Sequence, residues 1–279
     1  MSTKWFRLST MAIPVAVAGL MLAIAGCNDD DNGTGGTSQR GSMVLMMHDA
    51  PIDEMKEAWV TVESVTMIGA DDDSASGEVV LNESVRMDLL ALDSTAQILA
   101  AADVQAGAYN KIRLQISDPE FVRNDDSVFA GEDIQLVANG HVDLNTQGDV
   151  FIVGNEVTVV SLDLDVENSV QINQTGNGRY ILRPQIFVDT DVSDEEGIII
   201  SNATIVSIDL STNQFTVSTS ETEANIDITV ITTQETDIVT IGGAQLALAS
   251  LLIGSTVDVV GTIDMDTGVV TATEVQVSL

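Results

Sequence analysis

Short segments in which apolar and polar residues alternate recur from residue 43 onward and limit the folds open to the chain. In residues 111–116 (KIRLQI) and 161–167 (SLDLDVE) every second side chain is apolar. Successive side chains of a β-strand point to opposite faces, so this period gives each segment one buried face. Clusters rich in Gly, Asn, Asp and Ser, such as residues 71–77 and 173–178, separate these segments. The pattern predicts an all-β protein.

Two β domains are expected, over residues 43–190 and 197–279. The first has many short strand candidates, which is typical of a β-sandwich, and one helix expected over residues 94–102, with Ser94 as its cap. The second has five strand candidates and an apolar helix candidate at residues 244–252, in the order of a small five-stranded OB-like barrel. The main strand candidates are residues 44–47, 59–68, 78–87, 112–116, 134–138, 162–166 and 179–188, then 198–210, 215–218, 226–231, 256–263 and 269–277.

Ordered motifs run through the first domain. They are residues 43–51 (MVLMMHDAP), 60–62 (VTV), 87–90 (MDLL), 106–114 (AGAYNKIRL), 162–165 (LDLD) with Ser169, and 182–184 (LRP). Over about residues 42–188 the chain thereby resembles the bacterial family called domain of unknown function 4382. The resemblance implies a lipoprotein with a β-sandwich and brings no known activity, so it assigns no catalytic residue.

The motif Asp49-Ala50-Pro51 has a structural explanation of its own. Asp49 can cap a turn or a helix start, and Pro51 fits a first helical turn because its missing N–H would have no partner there. A ligand-binding role for Asp49 is the alternative. In the second domain, residues 251–261 (LLIGSTVDVVG) resemble another uncharacterised small barrel domain of bacterial exported proteins.

The N-terminus has the pattern of an export signal. Lys4 and Arg7 precede an apolar run at residues 11–25, and small residues then lead to Cys27, the only cysteine. A membrane-spanning helix needs about 20 apolar residues, more than this run supplies. Residues 22–27 (LAIAGC) resemble a bacterial lipoprotein signal that ends in its lipobox.

This second resemblance implies that residues 1–26 are removed and that Cys27, now the N-terminus, is acylated. Two or more acyl chains anchor a protein stably, because each buried methylene contributes about 0.8 kcal/mol. Residues 27–42 form the lipidated tether; after the cysteine they carry no apolar side chain, and such a flexible segment reaches roughly 20 Å. We expect a cell-envelope location, in the outer membrane of a diderm bacterium.

The charge and the cysteine content exclude several classes of partner. The chain has 43 Asp and Glu against 10 Lys and Arg, a net charge of −33, whereas nucleic-acid binding depends on Lys and Arg displacing counterions. After Arg183 there is no basic residue, and Phe215 is the only aromatic residue from position 198 onward, so the barrel lacks a cationic groove and a stacking platform. A single cysteine also excludes disulfide scaffolds and CxxC sites.

No sequence motif for nucleophilic or zinc-dependent catalysis is present. His48 and His141 are far apart in the sequence, and we expect each to be an ordinary surface or edge-strand histidine. The chain is therefore not expected to be an enzyme.

One group of carboxylates has the spacing of a site. A strand would place Asp163, Asp165 and Glu167 on one face, and calcium prefers six to eight oxygen ligands, often carboxylates. The alternative is a solvated acidic face that Lys111 and Arg113 partly neutralise. Calcium is thus the single candidate cofactor. Loops expected nearby add further acidic residues, namely Asp125, Asp126, Glu132 and Asp133.

These features predict an envelope lipoprotein, attached to the membrane through Cys27, that acts as a non-catalytic binding or structural module. Its expected partners are an envelope protein, a glycan or a cation. Two alternatives stay open. One is a glycan hydrolase that uses paired carboxylates, and the other is an accessory subunit of an outer-membrane complex.

Overall fold

The computed structural model describes residues 39–49, 55–70, 77–92, 95–172, 180–189, 195–220 and 225–278. These residues form strands almost throughout, with one short helix, α1 (Val166–Ser169), and 3₁₀ turns at Leu89–Leu92, Gly131–Asp133, Val137–Gly140 and Leu248–Ser250. The prediction of an all-β protein is confirmed. The strands are β1 (Arg40–Asp49), β2 (Met55–Gly69), β3 (Glu78–Leu81), β4 (Val85–Asp88), β5 (Ala96–Gln105), β6 (Gly107–Arg123), β7 (Val128–Ala130), β8 (Ile134–Leu136), β9 (His141–Ile152), β10 (Val157–Leu164), β11 (Val170–Ile172), β12 (Tyr180–Leu182), β13 (Ile186–Asp189), β14 (Glu195–Asp209), β15 (Gln214–Ser218), β16 (Ile228–Ile231), β17 (Asp237–Thr240), β18 (Thr256–Asp264) and β19 (Val270–Ser278).

Two sheets face each other in the N-terminal part of the chain. The outer sheet has the order β3-β2-β6-β7, with β4 also paired to β2 and β9 to β6. The central sheet has the order β13-β10-β1-β5 and belongs to a larger sheet that continues into the C-terminal strands. Apolar side chains from both sheets form a first core between them. This arrangement is that of a β-sandwich.

Strand β1 is apolar on both faces. Met43, Leu45 and Met47 lie in the first core, whereas Val44 and Met46 lie in a second core on the opposite side of the central sheet. The uninterrupted apolar sequence MVLMM therefore reflects a strand that is covered on both sides, as in buried sheets generally. The second core is filled mainly by the C-terminal strands.

The C-terminal strands pair in a closed ring. The neighbours around it are β14-β15-β16-β19-β18, and β18 returns to β14. The β16–β19 pairing is parallel and the others are antiparallel. Strand β14 also pairs with β5 through Ile198 and Ile199, so the central sheet continues into the ring. The expected division into two domains stays a prediction.

Both expected helices are wrong. Residues 96–102 lie instead in β5, and Ser94 lies outside the described residues. The alanine-rich sequence has high helix propensity, but it lies between two cores and is buried on both faces. Residues 244–252 contain only the 3₁₀ turn Leu248–Ser250. Two expected strands are each divided in two, since residues 82–84 separate β3 from β4 and residues 183–185, which include a proline, separate β12 from β13.

Candidate functional site

A serine, a histidine and a carboxylate meet where β1, β10 and β14 come together. The Nε2 atom of His48 is hydrogen-bonded to the hydroxyl of Ser161, and its Nδ1 atom lies 3.8 Å from Oε1 of Glu196. The parallel register pairs Met46 with Ser161 and His48 with Asp163, which places His48 and Ser161 on the same face of the central sheet.

The expectation for His48 is wrong, because β1 lies between β10 and β5 and is not an edge strand. His48 is half-buried. His141 does fit the expectation, since it is exposed and begins β9, which pairs with β6 at the margin of the outer sheet. The sequence gives no sign of this cluster, because His48 and Ser161 are 113 positions apart. Only the parallel pairing of β1 with β10 brings them together.

The cluster has the order of partners found in activated nucleophiles, in which a base is hydrogen-bonded to a hydroxyl and oriented by a third group. Ser161, however, is only 2% exposed, so solvent reaches little of this residue. The arrangement instead connects β1 and β10 of the sandwich to the first residues of β14. Its chemistry is that of a polar contact on the face of the central sheet that bears the second core.

A second group of polar residues lines an open cleft of about 610 Å³ at the end of the sandwich where β1 begins. Its centre is the carboxylate of Glu78. This carboxylate accepts hydrogen bonds from the Arg40 guanidinium, from the backbone N–H of Gln105 at 2.9 Å and from the Tyr109 hydroxyl at 3.3 Å. The Tyr109 hydroxyl is also 2.8 Å from the carbonyl oxygen of Gln105.

The surroundings of the cleft raise the pKa of its tyrosine and of the neighbouring arginine. Burial, followed by the negative charge of Glu78, raises the pKa of Tyr109 to about 12. Hydrogen bonds to Glu78 and Asp103 raise the pKa of Arg40. Gly107 lines the cleft, and a Cβ atom at this position would meet no other atom within 4 Å. The cleft therefore presents the hydroxyl of Tyr109 and the carboxylate of Glu78 beside its open space.

The structure does not place Asp163, Asp165 and Glu167 on one strand face. Strand β10 ends at Leu164 and α1 begins at Val166. Asp165 caps this helix: its Oδ1 accepts a hydrogen bond from the Asn168 backbone N–H at 2.9 Å, and its Oδ2 accepts one from the Asn168 side chain at 2.6 Å. The period-two interpretation is therefore wrong.

The expected neutralising cations also lie elsewhere. Arg113 donates two hydrogen bonds to Asp143, at 2.6 and 2.9 Å, and Lys111 is 3.8 Å from the same carboxylate. The hydrogen bond from Arg113 lowers the pKa of Asp143. Within the described part of the chain, no group of three or more His, Cys, Asp or Glu residues is placed to hold a metal ion. Calcium binding by Asp163, Asp165 and Glu167 stays a prediction.

The other residues singled out from the sequence lie at or beyond the limits of the described structure. Asp49 is the last residue of β1. Ala50, Pro51 and Cys27 lie outside the described residues, as do the leader and most of the tether. No helix in the described ranges has both the length and the apolar character needed to cross a membrane.

One family model matches the part of the chain that forms the sandwich. The family model described as Domain of unknown function (DUF4382) matches residues 40–184. The chain belongs to this family. The DUF4382 match begins with β1 and ends after β12, so it contains both Ser161 and the cleft around Glu78, while the C-terminal ring lies beyond it. No curated protein and no solved structure matches the chain.

Proposed function

We propose that this protein is an envelope lipoprotein that is anchored in a membrane through acylated Cys27 and acts as a non-catalytic binding or structural module. The observation that carries the proposal is the lipobox-like sequence LAIAGC at residues 22–27. It follows a basic and apolar leader and precedes a charged, glycine-rich segment, in the order that export and lipid attachment require.

The first residue of the fold is suited to joining a tether to a rigid body. Arg40 begins β1, contacts Glu78 and lies 2.6 Å from Asp103. These partners belong to β3 and β5, so the tether joins the body at a point that is linked to both sheets of the sandwich. The tether would therefore hold the body at a residue whose backbone is already paired with β5.

The described polar groups support a non-catalytic role. The hydroxyl in the Ser161 cluster is buried, and the Glu78 carboxylate in the cleft is satisfied by three donors. The Asp143 carboxylate is engaged by Arg113. The open cleft lined by Glu78, Gln105 and Tyr109 is the candidate place for a polar group of a glycan or peptide.

We also propose that the C-terminal ring is an OB-like barrel. The closing order β14-β15-β16-β19-β18, with the parallel pair β16–β19, supports this assignment. Its role in the lipoprotein is structural and not the binding of nucleic acid, because the sequence after Arg183 has no basic residue and a single aromatic residue beyond position 197.

Mass spectrometry of the protein isolated from cells tests the proposal. We expect the N-terminal peptide of the wild type to begin with Cys27 and to carry acyl groups, and the protein to sediment with membranes. The Cys27→Ser variant should keep its leader and lose the acyl groups, whereas the control Thr37→Ser, within the tether, should match the wild type. A wild-type protein with an unmodified Cys27 sulfur would contradict the proposal.

A turnover assay addresses the alternative of a glycan hydrolase. We expect no release of reducing ends from envelope glycans by the purified protein. Release that disappears on changing a single carboxylate would show catalysis and would overturn the non-catalytic assignment.

A further inference from the structure

We propose that the β17–β18 loop (residues 241–255) rests on the lipid bilayer to which Cys27 anchors the protein. The inference depends on the proposed lipid anchor and adds a second, non-covalent contact with the same membrane. It rests on the charge, the exposure and the position of this loop.

The loop lies in the longest interval of the acidic C-terminal region that carries no charge. From residue 238 to residue 257 the sequence IVTIGGAQLALASLLIGSTV contains no Asp, Glu, Lys or Arg, and the flanking charged residues are Asp237 and Asp258. The rest of the body is strongly acidic and is repelled by the negative surface of a membrane. A surface without charge approaches such a membrane without that repulsion.

Three apolar side chains of the loop are exposed, whereas two of its leucines are partly buried against the second core. Ile241, Leu252 and Ile253 are 66%, 62% and 68% exposed. Leu251, in contrast, is 4% exposed and fixes the loop to the second core. A regular helix over residues 244–252 would turn one apolar face inward, but the chain forms only a 3₁₀ turn there. The loop therefore presents separate apolar tips to the surroundings.

The strand directions place these tips toward the end of the central sheet where the tether joins. Gln105, at the end of β5, pairs with Arg40, and β14 runs parallel to β5. Gly254 donates a backbone hydrogen bond to Ile205, far along β14 in that direction. Leu210, which follows the end of β14, is a further exposed apolar residue, at 55%. The loop and the first residue of β1 thus lie toward the same end of the sheet.

The composition of the loop favours a bilayer over a protein partner. Protein interfaces are enriched in aromatic residues and arginine, which supply most of their binding energy, and residues 241–255 contain neither. Binding to a bilayer increases with the apolar area that is buried at the boundary between headgroups and acyl chains, and exposed leucine and isoleucine side chains supply such area. Only 12 residues separate Cys27 from Arg40, so an anchor at Cys27 would keep the body near the membrane and give the loop a high effective concentration there.

Tryptophan fluorescence in vesicles tests the contact. The full protein isolated from membranes is reconstituted in phosphatidylcholine vesicles with brominated acyl chains, and the emission of the wild type is subtracted. The test variant is Leu252→Trp, with Ile253→Trp as a second variant should the first fail to fold. The control is Val128→Trp, because Val128 is 57% exposed on β7 of the outer sheet.

We expect the emission of Leu252→Trp to shift to shorter wavelength and to be quenched by the brominated lipid, and that of Val128→Trp to do neither. An acylated protein whose Leu252→Trp emission is not quenched would overturn the contact and leave the anchor intact. A shift without quenching, accompanied by cross-linked dimers, would show that a second copy covers the loop and would also overturn it. Equal quenching of both variants would show non-specific adsorption and refute the assignment to this loop.

An unmodified Cys27 would remove the proposed anchor without deciding the question of the loop. In that case the same variants are coupled through the single thiol to a maleimide-bearing lipid and measured again. Quenching of Leu252→Trp alone would then support the affinity of the loop for lipid, and its absence would refute it.

Discussion

The sandwich and the C-terminal ring stabilise their acidic residues by different means. In the sandwich, carboxylates pair with cations, as Asp143 does with Arg113 and Glu120 with Arg86. The ring has no Lys or Arg, and its carboxylates accept hydrogen bonds from hydroxyls and backbone N–H groups. Asp264, for example, accepts from the backbone and the side chain of Thr267, each at 2.8 Å. Acidic residues without cationic partners can thus be held in place by uncharged hydrogen-bond donors in the turns. The repulsion among these carboxylates is then relieved only by the solvent and its ions.

The largest expected effect tests whether the two regions unfold together. Met46→Ala, which faces the second core, should lower the free energy of unfolding by about 2–5 kcal/mol, as should Met47→Ala, which faces the first core. Both side chains are fully buried on β1. Urea unfolding followed by Trp59 fluorescence reports on the outer sheet. We expect both variants to lower the midpoint of the Trp59 transition, because β1 serves both cores.

A Trp59 transition that stays at the wild-type midpoint in Met46→Ala would contradict this coupling. The ring would then unfold independently of the sandwich. Circular dichroism on the same samples would show that separate, earlier step.

The next effect concerns the cleft. Glu78→Gln removes the charged partner of Arg40 and should cost about 1–2 kcal/mol, since a charge-assisted hydrogen bond at a partly exposed site is lost. It should also lower the pKa of Tyr109 from about 12, but only in part, because burial is the larger cause. Ultraviolet titration of the tyrosinate measures this shift. Tyr109→Phe, which leaves Tyr180 as the reporter, is the control; an unchanged titration in Glu78→Gln would disprove the contact.

A smaller effect distinguishes general screening from a specific calcium site. Sodium chloride should raise Tm by a few degrees, because salt screens the repulsion among like charges. Calcium chloride at matched ionic strength should raise Tm further only if Asp163, Asp165 and Glu167 bind the ion. Loss of that additional Tm shift in Asp163→Asn would show that Asp163 belongs to the site. Equal Tm shifts in the two salts would exclude a specific calcium site.

The smallest effects are expected in acid. Hydrogen bonds from Arg113 lower the pKa of Asp143, and hydrogen bonds from Thr267 lower that of Asp264. A carboxylate with a lowered pKa in the fold stabilises it above the ordinary value of 3.8, and this stabilisation is lost as the pH falls through the folded pKa. Asp143→Asn and Asp264→Asn should therefore each lose less stability in an acid titration than the wild type. Chemical unfolding at a series of pH values measures this, and parallel curves would count against both contacts.

The sequence was sufficient to predict the strands that are exposed on one side. Residues 112–116 alternate because β6 has one face in the first core, and the five ring strands begin and end near their expected positions. It was misleading for β5, where both faces are buried and the small alanines that fit between two cores also favour a helix. Propensity could not reveal that difference, because it depends on strands distant in the sequence.

The same limit applies to the candidate sites. Asp163 and Asp165 have strand spacing, yet Asp165 ends the strand by capping α1, which is a local alternative that Asp offers the backbone. His48, Ser161 and Glu196 carry no local signal, because the register of β1 with β10 brings the first two together and β14 adds the third. Of the sequence motifs, the one at residues 106–114 lies at the cleft around Glu78, because its first four residues line it. The motif itself carries no sign of a cleft.

The position of Arg40 at the start of a strand in the middle of the sheet has a mechanical consequence. A force applied through the tether acts along β1, and the hydrogen bonds to β5 and β10 run across that direction. Drag on the body would load these bonds in shear, so that many must break at the same time instead of one after another. The proposed attachment through Cys27 would therefore load β1 against both of its neighbouring strands at once.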